Sequence, residues 1–232
     1  YLLLPEDWLM GGYEADIISG ATVDVVSAAT PGFEEHRNGG QIHVALDLAP
    51  VRISAGWQGS MENDTAAHTG SVSGELDLLR KTLTLGLSYG LTGFKVGAAA
   101  EAKELWRDRF VHQVDLSVTR VVTKGTVVAA TGTLQVQHGY LASPYLDVPL
   151  FPADATQRER MDAQWVPERH PDRRVRGALA IEARQALGSK AFLFGSWRGY
   201  LDDWGMRSHT GELGIGLDPG RRVVIEIADR FY

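Results

Sequence analysis

The stretch Lys81-Thr82-Leu83-Thr84-Leu85-Gly86-Leu87-Ser88-Tyr89-Gly90-Leu91-Thr92 alternates apolar and small polar residues without a break. A β-strand sends successive side chains to opposite faces. Leu83, Leu85, Leu87, Tyr89 and Leu91 therefore share one face, and Thr84, Gly86, Ser88 and Gly90 the other. The same period recurs upstream. Val51, Ile53, Ala55 and Trp57 oppose Arg52, Ser54, Gly56 and Gln58, and Ile42, Val44, Leu46 and Leu48 oppose Gln41, His43 and Asp47. Val72, Leu76 and Leu78 oppose Ser71, Ser73, Glu75 and Asp77, while Leu9, Tyr13, Ala15 and Ile17 oppose Glu14 and Asp16.

Downstream the pattern continues through Val114–Val118, Val128–Val136, Val175–Ile181, Leu193–Leu201, Leu213–Leu217 and Val223–Ile227. Eleven such segments result, and none of the chain reads as a long helix. Soluble strands usually run about 5–6 residues, whereas a strand crossing a bilayer needs roughly 9–11. Most segments here are of the longer kind, and their polar faces carry full charges in mid-strand, which suits a wet or ion-paired interior. The expectation is an all-β fold: an antiparallel transmembrane β-barrel of about 12 strands, 11 of them visible.

Composition agrees. The 232 residues are 44% hydrophobic with a formal charge of −6, yet no apolar run approaches the roughly 18 residues of a membrane helix. Barrel strands escape that test because only alternate residues meet lipid. Cysteine is absent, which removes disulfide frameworks and thiolate metal sites. The chain opens at Tyr1-Leu2-Leu3-Leu4-Pro5 with neither an initiator Met nor a basic segment, so it is expected to begin after processing.

Outer-membrane barrels pair short periplasmic turns with longer external loops. Short connections are expected at Ala49-Pro50, Leu79-Arg80, Thr123-Lys124-Gly125, Leu187-Gly188-Ser189 and Asp218-Pro219-Gly220. Longer ones are expected around 20–40, 60–68, 92–107, 139–172 and 202–207. Because bacterial barrels have an even strand count, residues 1–232 are expected to form one barrel domain lacking at least one C-terminal strand. Trp8, Trp57, Tyr89, Trp106, Phe110, Trp197, Tyr200 and Trp204 are candidates for interfacial girdles.

Three phrases carry a family resemblance. They are Ser19-Gly20-Ala21-Thr22 with Ser27-Ala28-Ala29-Thr30, then Gly139-Tyr140-Leu141-Ala142-Ser143-Pro144-Tyr145, and finally Asp229-Arg230-Phe231-Tyr232. Together they resemble the DUF3570 family of Gram-negative outer-membrane proteins. Ala142-Ser143 stands where that pattern has Ser-Asp, and Asp229 where an aromatic is usual. The resemblance implies an outer-membrane barrel and supplies no activity.

The polar faces supply the candidate lumen-lining residues. Glu14, Asp16, Asp47, Glu75, Asp77 and Asp115, with Arg52, come from the first six segments; Arg174, Arg176, Arg184, Arg198, Arg222 and Arg230, with Glu182, Glu212 and Glu226, come from the last four. Opposed acidic and basic walls would set a transverse field across a pore, or would pair across a narrow lumen and seal it. The 139–172 stretch, rich in mixed charge, reads as a solvated external loop. No HExxH or GxSxG motif accompanies the seven histidines, so neither a metal nor a catalytic site is assigned. A rim hydrolase is the third reading, with His170 and His209 beside Asp172 or Asp203 as its candidate residues.

The leading expectation is a channel-like or transport-associated barrel with the outer-membrane bilayer as its surroundings. A non-conducting barrel scaffolding a lipoprotein or another envelope protein is the competing class. No cofactor is called for, and an acidic chain without a basic groove does not suit nucleic acid.

Overall fold

The computed structural model describes residues 2–3, 8–19, 34–154, 156–157, 164–220 and 223–232. Twelve strands form one antiparallel sheet in chain order: β1 (Leu2–Leu3), β2 (Trp8–Ser19), β3 (Glu34–Leu48), β4 (Val51–Met61), β5 (Thr65–Leu78), β6 (Leu83–Val96), β7 (Arg107–Thr123), β8 (Thr126–Gly139), and, past a separate hairpin, β11 (Arg173–Ala186), β12 (Ala191–Asp202), β13 (Arg207–Gly220) and β14 (Val223–Phe231). The hairpin pairs β9 (Asp147–Leu150) with β10 (Gln164–Pro167). The eleven long strands are the eleven alternating segments. The two-residue β1, which pairs with Trp8 and Leu9 of β2, adds a member that periodicity could not detect.

Where the core sits settles the class of fold. Among the described residues only Ala45, Val96, Trp106, Val111 and Ala142 form a buried apolar set, and no large side chain is fully enclosed. Leu87, Leu116 and Leu134, on the outward face of three successive strands, are 57%, 59% and 52% exposed. A soluble sandwich would bury that face against a second layer. Among the described residues no layer covers it, and neighbouring strands pair along their length, as strands in hydrocarbon must.

The connections correct one expectation. Strands β4 and β5 are joined by residues 62–64 alone, and β12 and β13 by residues 203–206. Both were expected to be longer loops. The strands simply run on past the point where apolar alternation stops, so the longer described connections at this end are 97–106 and the described parts of 140–172. The segment between β2 and β3 (20–33), with its repeated Ser-x-Ala-Thr phrase, and the charged residues 158–162 lie outside the described residues.

At the opposite end, Leu79, Arg80 and Lys81 all adopt left-handed backbone, with φ of 50°, 57° and 64°. L residues enter that region at a cost. The Thr82 hydroxyl donates to the Leu79 carbonyl at 2.8 Å and holds the turn.

Of the girdle candidates, Trp57, Tyr89, Phe110 and Trp197 lie on the outward face. The other assignments change. Trp106 is buried at the loop end, Tyr200 shares the polar face with Asp202, and Trp204 belongs to the 203–206 turn. The side chain of Trp8 is outside the described residues.

Candidate functional site on the polar face

Directly opposed residues of antiparallel neighbours share a face, so register assigns the predicted residues one by one. Asp47, Arg52 and Glu75 lie side by side on β3, β4 and β5. Asp77 opposes Thr84, and Asp115 lies between Ser88 and Thr133. Arg174 and Arg176 oppose Gln137 and Gln135; Glu182, Arg184 and Arg198 oppose Ser196, Phe194 and Ala180. Glu212 opposes Arg230, Glu226 opposes Gly216, and Glu14 opposes Gly39. All belong to the face opposite Leu87 and Leu116. Asp16 has its backbone in that register, but its side chain, like the whole of Arg222, lies outside the described residues.

Three groups of contacts organise this face. Near the short turns, Arg52 reaches Asp47 at 2.9 Å and Glu75 at 3.6 Å, and Thr84 donates to Asp77 at 2.7 Å. At mid-height Asp115 accepts from Thr133 at 2.6 Å, Gln113 at 2.9 Å and Ser88 at 3.2 Å. The network continues as Gln135 donates to Gln113 (3.1 Å), Gln137 to Gln135 (3.1 Å) and Arg176 to Gln135 (3.3 Å). With the Ser54–Ser73 and Thr69–Thr92 hydroxyl pairs at 2.7 and 2.9 Å, these residues line a cavity of about 470 Å³.

The third group is a clasp at the loop end. The Asp202 carboxylate is fully enclosed and accepts from Arg174 Nε at 3.0 Å, from Arg174 Nη2, and from the Tyr200 hydroxyl at 2.8 Å. The backbone amides of Trp204 (3.1 Å) and Met206 (2.9 Å) complete its shell. Asp202 lies beyond the apolar band, level with the outward-facing Arg207. Enclosure alone would raise its pKa, but the Arg174 hydrogen bonds, the Met206 amide and the Tyr200 hydroxyl outweigh that and hold it at about 2. Arg174 stacks over the Trp204 ring at 4.4 Å, and His170 packs on the same ring at 5.0 Å while pairing with Glu168 at 3.0 Å. The β9–β10 hairpin is thereby tied to the 203–206 turn. Between the hairpin and the 139–142 segment that follows β8 opens a cavity of about 910 Å³, lined by Arg107, Tyr140, Val148, Leu150, Val166 and Asp172 among others.

Register also adds residues that the sequence reading missed. Arg37, Arg107 and Arg109 stand on the polar face, opposing Asp16, Val96 and Phe94. They fall on strand ends that extend six or seven residues beyond the recognised alternation. Arg37 pairs with Glu62 at 3.5 Å; Arg107 and Arg109 lie over the Tyr140 and Phe94 rings at 3.7 and 4.1 Å. These three arginines add basic groups to β3 and β7, on the strands that carry the predicted acidic residues. Arg37, Arg107, Arg109, Arg174 and Arg176 gather toward the loop end, whereas Asp47, Glu75, Asp77, Glu182 and Glu226 lie toward the turns. Arg52 and Arg184 nevertheless stand at the turn end, and Glu62 and Asp202 at the loop end beside Arg37 and Arg174, so the sorting along the strands is partial. The ion pairs Arg52–Asp47, Arg230–Glu212 and Arg174–Asp202 join near neighbours and reach across no opening.

The rim pair considered for hydrolysis is not assembled. His170 is engaged with Glu168 and Trp204, whereas His209 stacks on Trp197 at 5.8 Å on the outward face of β13. Asp203 accepts from the Val175 amide at 2.9 Å. Among the described residues, no three His, Asp or Glu side chains converge on a metal-ion position.

Solved structures match this chain. CdiB from Acinetobacter baumannii superposes with a TM-score of 0.50 at 16% identity, covering 92% of this chain and 34% of its own. This chain thus spans about a third of that protein's length. The β domain of the Bordetella autotransporter BrkA (TM-score 0.35, 10% identity, covering 97% of this chain and 91% of its own) and the translocator domain of the autotransporter NalP from Neisseria meningitidis (0.33, 13%, covering 97% and 81%) also match. No curated protein matches in sequence. The unpartnered apolar face, the sequential antiparallel order and the CdiB superposition make the fold that of an outer-membrane β-barrel. Residues 16–232 match the family described as "protein of unknown function (DUF3570)", and the chain belongs to that family.

Proposed function

We propose that the polar face lines a hydrated path and that the protein is a channel-like, transport-associated barrel of the outer membrane. The observation that carries this reading is the mid-height ladder from Ser54 through Ser73, Ser88, Asp115 and Gln113 to Gln135 and Arg176, bordering a polar cavity where a sealed barrel would place ion pairs reaching from wall to wall. Hydroxyl and amide groups exchange readily between one another and water, so solute can pass without stranding a buried charge. The arginines gathered at the loop end give an anionic solute its first favourable contact.

Reconstitution of the full-length protein in planar bilayers tests the proposal. Discrete conductance steps are expected, and the R107Q/R109Q variant should shift the reversal potential in a salt gradient toward cations. A folded barrel giving no step at any voltage would overturn the proposal in favour of a non-conducting scaffold. A stoichiometric lipoprotein or envelope partner recovered from native membranes would then identify what it holds.

A further inference from the structure

Five of the seven histidines lie on the outward, lipid-side face of the sheet. By register these are His36, His68, His112, His138 and His209. They also lie at one height: twelve, ten, eleven, twelve and eleven residues from the turn-side ends of their strands at Leu48, Leu78, Thr123, Thr126 and Gly220. At about 3.3 Å per residue and a tilt of about 40°, that is roughly 25–30 Å from the turns, the height of a barrel's apolar band.

The constellation around them repeats. On β4, β6 and β12 the seventh residue is Trp57, Tyr89 or Trp197, and each meets a histidine of the following strand. Trp57 stacks on His68 at 5.8 Å and Trp197 on His209 at 5.8 Å; Tyr89 lies 6.2 Å from His112, with its hydroxyl 2.8 Å from Nδ1. Both tryptophans fold back over a glycine two residues on, Gly59 and Gly199. A fourth pair joins His138 to Phe110 at 5.3 Å, and His138 stacks on His112 at 5.5 Å.

Below this belt the outward face is aliphatic, as with Leu87, Leu116, Leu134 and Leu213. Above it the outward face becomes charged. Arg173 opposes His138, Arg207 lies one strand position from His209's neighbour Ser208, and Lys95 pairs with Asp108 at 2.7 Å. Asp229 on β14, opposite Leu213, is a further outward carboxylate, and Glu34 shares the register of His36 on β3 with its side chain outside the described residues. Facing groups therefore include Tyr89 for His112, Arg173 for His138, and Lys95 near His68. Asp108 is already neutralised by Lys95.

We infer that this histidine–aromatic belt is a protonation-sensitive contact for phosphate-bearing headgroups of the outer leaflet. The aromatic rings rise from lower positions on their strands and pack against the histidines, holding them at that height. Imidazoles titrate within the physiological range, and when protonated they add cations next to Arg173, Arg207 and Lys95, at the depth where lipid phosphates lie. A chain with a formal charge of −6 thus presents its titratable cations to the anionic layer. The belt rests on the membrane fold and needs no conducting lumen.

The full-length protein in phosphatidylcholine vesicles doped with fluorescent lipid A gives the test. Energy transfer from the tryptophans reports the preference for lipid A over a matched fluorescent phosphatidylcholine. That preference should rise about tenfold from about pH 8 to about pH 5.5, and the H68Q/H112Q/H138Q/H209Q variant should lose the rise while keeping the heat-dependent gel mobility of a folded barrel. If the quadruple variant does not fold, H68Q/H209Q, which spares the His112–His138 stack, should lose about half of the rise. An equal preference at both pH values would overturn the inference, as would an unchanged rise in the variant. Transfer that depends on protein density and not on lipid A would overturn it too, assigning the belt to contact between two copies of the chain.

Discussion

Leu116 and Ser117 are neighbours with opposite surroundings, and replacing each with arginine should separate the two faces energetically. Leu116 opposes Leu87 and Gly132, is 59% exposed, and lies seven residues from the turn-side end of β7. At about 3.3 Å per residue and about 40° of tilt this is roughly 18 Å into the bilayer, a little past its midplane. An arginine on the lipid face there costs about 2–3 kcal/mol, near the middle of the range for such depths. Ser117 opposes Gly86 and Thr131 on the polar face, where an arginine keeps water and acceptors within reach and costs about 0.5 kcal/mol. One factor of ten in an equilibrium constant is about 1.4 kcal/mol. Reversible urea titration of folding into vesicles, read by tryptophan fluorescence, should therefore show Leu116→Arg reducing the folding equilibrium constant by about 30- to 150-fold and Ser117→Arg by about 2-fold. Equal losses would mean that both faces are dry, and a larger loss at Ser117 would mean that the apolar face is not the one in lipid.

Two further outcomes follow from local geometry. A Cβ on Gly199 would lie 2.7 Å from the Trp197 ring, whereas one on Gly70 would meet nothing within 4 Å. Gly199→Ala should lower stability by about 1 kcal/mol and weaken Trp197–His209 stacking in near-UV circular dichroism, while Gly70→Ala should be neutral in the same measurement. Asp202 titrates at about 2, below the ordinary carboxylate near 4. Its contribution to the clasp is thus present above about pH 4 and lost as pH falls through about 2. In an acid titration the aromatic dichroism of the wild type should show a transition in that window that Asp202→Asn lacks.

What the sequence discloses about this barrel follows from which forces leave a periodic trace. Hydrocarbon selects every second residue, so β6, flanked on both sides by strands of the same kind, is written as Leu83-x-Leu85-x-Leu87 and cannot be missed. Past the bilayer the selection ends although the hydrogen-bond ladder does not. Arg37, Arg107 and Arg109 extend β3 and β7 on the polar face, but Asn38-Gly39-Gly40 and Arg107-Asp108-Arg109 carry no apolar rhythm. The β9–β10 hairpin is hidden for the same reason, with Pro149 interrupting a four-residue strand. The Asp202 clasp is a property of a closed turn, in which the carboxylate collects donors from β11, from β12 and from residues 204 and 206. No single stretch announces it.

The same distinction explains why the arginines gathered at the loop end are not read from the sequence. Position along the chain says which strand a residue occupies, and acids early with arginines late therefore suggest opposite sides of a pore. Height along the axis depends on where each strand begins and ends. Once β3 starts at Glu34 and β7 at Arg107, Arg37, Arg107 and Arg109 join Arg174 and Arg176 at the loop end, and Asp47, Glu75 and Asp77 fall at the turns. The two arrangements do different work. A transverse field orients a dipole as it passes and is nearly neutral toward the sign of a solute, whereas an axial asymmetry raises the concentration of one sign at the mouth. Because Arg107 and Arg109 lie over Tyr140 and Phe94 and not against carboxylates, their charge is not cancelled locally. Their removal should therefore move ion selectivity more than removal of Arg52, which Asp47 and Glu75 already neutralise. A transverse field would give little change in ion selectivity from either removal.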